Sequence, residues 1–329
     1  MPPEVDPSKL GRIRKIDARG VWKHEALQFT PWLQDHIDEL NEAIGFEIEL
    51  AAREQGVGPF AVDLYGKDVQ TGHPAIIENQ LEPTDHAHLG QTITYGAGLR
   101  AGVIVWIAPR FRDEHREALT WLNEISSEEV NFLGVEVEVL EVNGQYAPNF
   151  KLVVQPNTWQ KSTAIARRAG GAKASQRMLA YQAYFADVLE TVKERVPGIT
   201  TASKTQPQSW FQFSSGVSGM NFTWSFTRGN RFRVALDIDT GSHERNKLIF
   251  DSLKTNQQEI ERELDCTLTW EWVEKRRYVS VFADWAHRVS IESSPSELEG
   301  LKSWAVETMN RFVQAFRPRL KTLAHQLGG

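Results

Sequence analysis

Residues 62–99 read VDLYGKDVQTGHPAIIENQLEPTDHAHLGQTITYGAGL. The apolar run Ala75-Ile76-Ile77 is followed at once by Glu78, Asn79 and Gln80, where a buried strand normally excludes a carboxylate. A polar group at that point must be satisfied by a partner or used in chemistry. Upstream, Phe60–Tyr65 reads as a strand with Asp63 among Phe60, Val62 and Leu64. A short polar connection ending at Thr71-Gly72 joins it to residues 75–81 as a hairpin. Alternation along a strand places Glu78 and Gln80 on one face, and the hairpin lets Asp63 stand opposite Glu78. Two carboxylates converging at a sheet end repel unless a cation lies between them, and such oxygen ligands suit Mg²⁺ or Mn²⁺. A metal of this kind lowers the pKa of a bound water and neutralises charge on a phosphodiester. The structural alternative is that Asp63 and Glu78 are satisfied by backbone amides or by Arg53.

Working outward, Leu33, Ile37, Leu40 and Ile44 fall at helical spacing, with Gly45 as a stop, so residues 30–45 read as one helix. Residues 46–50 alternate as a strand, His86 to Leu99 reads as a helix capped by Asp85, and 102–108 is an apolar strand. Gln91 and Tyr95 are four apart on that helix and share a face. A helix over 113–126 and a strand over 134–142 follow. The order is helix, three strands, helix, strand.

With Asp63, the Glu78-x-Gln80 pair and the Gln91-x-x-x-Tyr95 helix on those elements, residues 25–110 resemble the PD-(D/E)XK nuclease superfamily, in the branch of RecB-type and NucS-type enzymes. The resemblance implies an α/β restriction-endonuclease-like N-terminal domain with an αβββαβ core. It also implies a metal-dependent nuclease acting on DNA, with Mg²⁺ or Mn²⁺ held by Asp63 and Glu78. Gln80 takes the position usually held by lysine and is expected to position the attacking water, so lysine at 80 is expected to preserve or raise activity. Gln91 and Tyr95 are expected to support the site or the DNA. An acidic residue of the first helix is often added; Glu25, Glu39 and Glu42 are candidates, with Glu25 preferred. The alternative function is a catalytically silent nuclease fold that binds nucleic acid or a protein. The second half resembles a domain of unknown function found C-terminal to such regions in bacterial proteins.

The chain's 329 residues, 41% hydrophobic, suffice for about two domains. The expected division is residues 1–154, a basic linker over 155–177, and an α+β domain over 178–329. Residues 1–150 hold 12 Lys and Arg against 25 Asp and Glu, a balance of −13, whereas 151–329 hold 25 against 18, a balance of +7. That asymmetry raises the expectation of a polyanionic partner, or else of two halves that attract each other. Arg167, Arg168 and Lys173 of the linker are the expected phosphate contacts, together with His86 or His88 at a helix start. His86 and His88, two apart on a helix, diverge and make a poor zinc pair. His115 reads as a solvated helix position. In the second half, residues 210–213 and 222–226 alternate aromatic side chains, which read first as the inner face of a sheet and second as base-stacking groups beside Arg228, Arg231 and Arg233.

Other classes find little support. A single cysteine, Cys266, precludes an internal disulfide framework, and no nucleophile elbow or P-loop occurs. The N-terminus lacks the apolar core of a secretory signal, and no apolar run approaches the roughly 18 residues of a membrane span, so a cytoplasmic protein without membrane contact is expected. A second copy of the chain is a candidate partner.

Overall fold

A computed structural model describes residues 11–57, 60–127, 129–156, 171–273 and 278–326. Arg167 and Arg168 lie outside the described residues, as do the side chains of Arg53 and Lys173. The chain divides into two compact units: Met1–Ile44, Leu50–Asp68 and Gly72–Asn157 form the first, and Gly45–Glu49, Val69–Thr71 and Thr158–Gly329 the second.

The first unit runs β1 (Arg14–Ile16), α1 (Ala18–Val21), a π-helical turn (Glu25–Phe29), α2 (Thr30–Asp35), α3 (Ile37–Ile44), β2 (Ile48–Val57), β3 (Phe60–Asp68) and β4 (Pro74–Asn79). It continues with α4 (His86–Gly98), β5 (Val103–Ala108), α5 (Asp113–Ile125), β6 (Asn131–Val142) and β7 (Gln145–Val154). Among the described residues, seven strands form a mixed sheet in the order β1-β6-β5-β4-β3-β2, with β7 on the far side of β6. β3 and β4 are antiparallel with Leu64 opposite Ile77, whereas β4, β5 and β6 run parallel. Every residue of β5 is buried, as a strand covered on both faces demands. One face carries Ile76, Ile104, Trp106 and Phe132 against Tyr95 of α4 and Leu119 of α5.

Two departures from the sequence reading have local causes. The expected helix over 30–45 is broken at His36, which takes φ −125 and ψ 35, with its ring Nδ1 2.8 Å from the Trp32 carbonyl. The spacing of Leu33, Leu40 and Ile44 survives the break, and all three are buried. The strand expected over 46–50 begins at Ile48 and runs on to Val57.

The second unit contains α6 (Gly171–Arg195), β8 (Trp210–Val217), β9 (Met220–Thr227), β10 (Arg231–Ile238), α7 (His243–Thr255), α8 (Gln257–Leu264), β11 (Thr269–Glu271), β12 (Val279–Asp284) and α9 (Pro295–Gln326). Its described strands form an antiparallel sheet in the order β11-β12-β10-β9-β8. Helix α6 begins at Gly171, so the last part of the expected linker is helical. Phe211, Phe213, Phe222 and Trp224 are buried with Val188, Met309, Phe312 and Phe316 in one core, so these aromatics build the sheet's inner face and offer no stacking surface for bases. Arg233 is likewise engaged, 2.9 Å from the Asp284 carboxylate and over the Phe282 ring. The short segments from the first half belong to this unit by their own bonds. Lys204 Nζ lies 4.7 Å over the Phe46 ring, the Gly219 amide donates to Glu49 at 2.9 Å, and Gln70 donates to the Lys204 carbonyl at 2.7 Å. No helix among the described residues is long and apolar enough to cross a membrane.

Gly219 turns the β8–β9 hairpin with φ +76, and a Cβ there would lie 2.7 Å from Thr240 Cα and 2.8 Å from the Asp239 carbonyl oxygen. Both obstacles are backbone. Gly219→Ala is therefore expected to lower unfolding free energy by about 2 kcal/mol or more, beyond the ordinary ~1 kcal/mol glycine effect, in denaturant titration of the full chain.

Candidate functional site

The antiparallel ladder of β3 and β4 stops at Leu64 and Ile77, and the next residues, Asp63 and Glu78, replace ladder bonds with side-chain ones. The Asn79 amide donates to Asp63 Oδ2 at 2.9 Å, and the Asp63 amide donates to the Glu78 carboxylate. The π-helical turn brings in Glu25, whose Oε2 accepts from the Leu81 amide at 2.9 Å. Glu39 and Glu42, the other acidic candidates of the first helical region, are exposed. From α4, Gln91 lies beside the Tyr95 hydroxyl and tempers the rise of its pKa, and Tyr95 feels the charges of both Glu78 and Asp63. Glu25, Asp63, Glu78, Gln91 and Tyr95 thus converge from four separate elements.

The electrostatics of this group are unbalanced. Glu78 is only 5% exposed, and its Oε2 has no hydrogen-bond partner. Burial, reinforced by the Asp63 and Glu25 charges and only partly offset by the Asp63 amide, pushes its pKa from 4.5 to about 9. Burial first, and then the same carboxylates, raise the Tyr95 hydroxyl. Gln91 Oε1 is a second buried acceptor without a partner. Backbone amides therefore satisfy part of the carboxylate set and leave part unsatisfied. Unpartnered oxygens beside crowded carboxylates fit a hard cation, and Mg²⁺ commonly takes one or two carboxylates and keeps its waters. Among the described residues, no group of three or more His, Cys, Asp or Glu side chains is arranged to hold a metal, so such an ion would rely on Asp63, Glu78 and water.

Gln80 does not join the group. It follows the last residue of β4, and its side chain turns into the next loop: Nε2 donates to the Glu82 and Pro83 carbonyls at 3.1 and 3.0 Å, and Oε1 accepts from the Trp106 indole at 2.9 Å. With its hydrogens committed, the amide braces the loop after β4. The Gln80 backbone continues the β4–β5 pairing, donating to the Ile107 carbonyl at 3.0 Å, and the indole its side chain meets belongs to Trp106, the residue opposite Glu78 in that register.

His86 and His88 are also otherwise engaged. Asp85 caps α4, accepting from the His88 amide at 2.9 Å and lying 2.9 Å from its ring Nδ1, so the helix start already holds an anion of its own. His86 lies 3.2 Å from His115, whose Nδ1 is 2.8 Å from Thr84 Oγ1. His115 is 1% exposed, correcting its reading as a solvated position; burial, then His86, holds its pKa below the usual imidazole value. The signal missed in the sequence is that His115, Thr84, Trp106 and Gln80 form one knot.

A family model described as Domain of unknown function (DUF4268) matches residues 180–320. No curated protein matches the chain, and no solved structure does. The match falls within the second half and carries no mechanism.

Two substitutions check this geometry. Because the folded-state pKa of Glu78 lies above 4.5, its proton stabilises the fold fully below that value, and the contribution is lost as pH rises towards about 9. Glu78→Gln is expected to raise Tm by a few degrees at pH 8 and to flatten the fall in stability between pH 5 and 9, read by thermal scans in chelator. Gln80→Lys abandons the Trp106 bond and buries a charge, so it is expected to lose about 1–3 kcal/mol of stability with no gain in activity.

Proposed function

We propose that the protein is a metal-dependent nuclease that hydrolyses DNA phosphodiesters, with its site on a restriction-endonuclease-like first unit of the PD-(D/E)XK superfamily. The observation that carries the proposal is Glu78, a buried carboxyl held against Asp63 with one oxygen unpartnered. Further support comes from the helix, three strands, helix, strand order and from Gln91 and Tyr95 on the following helix. The reaction adds water across a P–O bond, giving a phosphate monoester and an alcohol. A bound Mg²⁺ or Mn²⁺ would supply an acidified water and charge neutralisation. Asp63 and Glu78 would hold the ion, with Glu78 giving up its proton on binding. Glu25 fixes the Leu81 amide and keeps a negative charge near Glu78, while Tyr95 and Gln91 wall the site from α4. Gln80 holds the loop that follows β4.

A second reading is favoured by the commitment of Gln80 and by the small ligand set: a nuclease fold without cleavage, acting as a nucleic-acid-binding or protein-binding module. Gel assays with plasmid, linear and single-stranded DNA in Mg²⁺ or Mn²⁺ separate the two. The nuclease reading expects cleavage by the wild type and a loss of at least 100-fold in Asp63→Ala and in Glu78→Ala, each folded by circular dichroism. Cleavage by both variants at the wild-type rate removes the site from the reaction, and an inert wild type favours the binding module.

A further inference from the structure

The loop joining β5 to α5 carries two arginines that take no part in holding the fold. Its backbone is fixed: the Thr84 amide donates to the Arg110 carbonyl at 3.0 Å, the Arg112 amide to Thr84 Oγ1 at 3.0 Å, and the Phe111 amide to Glu136 at 2.9 Å. Thr84 is fully buried. The Arg110 and Arg112 side chains are exposed and, among the described residues, make no hydrogen bond or ion pair. Three other basic side chains of this unit are paired. Lys15 pairs with Glu138, Arg19 with Glu82 and Arg116 with Glu136.

Arg110 and Arg112 line a cleft of about 380 Å³ with Pro83, Phe111, Asp113 and Glu114. Its place follows from the register. β4 and β5 are parallel, so both end at the same edge of the sheet, with Asn79 opposite Ile107. Arg110 is three residues beyond that pair, at most about 10 Å of chain, and neighbouring strands lie about 4.8 Å apart. The cleft therefore shares a sheet edge with Glu78, within about four base steps of about 3.4 Å.

We infer that this cleft seats backbone phosphates of a polynucleotide strand, with Arg110 and Arg112 as the contacts, a few nucleotides from the bond presented to the carboxylates. The inference rests on the nuclease reading for the strand's path. A half of the chain with a balance of −13 repels a polyanion, so a strand reaching its carboxylates needs fixed local cations. Guanidinium groups meet phosphate with paired donors, and the fixed backbone of the loop anchors both side chains at their base. Asp113 and Glu114 line the same cleft, so the seat depends on Arg110 and Arg112 outweighing two carboxylates.

The test uses full-length protein in chelator, so that no cleavage occurs, with labelled duplex and single-stranded DNA, a mononucleotide and orthophosphate as probes. Anisotropy and competition are read from 50 to 300 mM salt. For Arg110→Ala/Arg112→Ala, with Tm unchanged, the slope of log K against log salt on duplex is expected to become shallower by about two, near 0.9 for each of two phosphates. An unchanged slope, or a wild type that does not bind DNA, overturns the inference. So does orthophosphate or mononucleotide binding as tight as the oligonucleotide's and lost in the variant, which identifies a small phosphate ligand. Cleavage by the wild type with no effect of the double substitution refutes the arginine seat and spares the nuclease reading. An arginine-dependent slope in a protein that never cleaves supports the seat and refutes the reading.

Discussion

Two carboxyl groups forced together at the open end of a strand pair set the character of the first unit. Asp63 and Glu78 lie where the β3–β4 ladder stops, and their side chains do the work that backbone groups do elsewhere in the sheet. Burial there favours the protonated form of Glu78, whose second oxygen is left without a partner. Glu25, Gln91 and Tyr95 are arranged around this conflict and do not relieve it.

The neighbouring strand end is organised on the opposite principle. Where Glu78 is left short of partners, the loop after β4 is fully bonded. Gln80 joins the Trp106 indole to two carbonyls, Thr84 joins the loops after β4 and β5, and His115 and Asp85 complete the network. Such a network loses little order when a ligand arrives, because its groups are already fixed. The unpartnered carboxyl oxygen of Glu78 thus lies beside a frame whose own polar groups are bonded.

The carboxylate pair was legible in the sequence because hairpin connection and strand alternation are short-range rules that hold up to the last ladder residue. Glu25 was legible only through family resemblance, since a π-helical turn leaves no periodic trace. The bonds that engage Gln80 were not legible, because strand alternation fixes the face of a side chain and not partners such as the Trp106 indole. His115 misled because its charged neighbours Glu114 and Arg116 suggest a wet helix face, whereas the partners that bury it, His86 and Trp106, are distant in sequence. The aromatic strands were read correctly as core, because period-two burial needs no long-range knowledge.

The second unit is assembled from three separate stretches of chain, two of them only five and three residues long. Inheritance of such a unit by simple end-to-end gene fusion would deliver an incomplete object. A recipient would have to provide equivalents of Phe46, Glu49 and Gln70, which bond to Lys204 and Gly219. The family match begins at residue 180 and so omits those pieces. A stretch of chain cut to the matched residues would therefore lack those contacts.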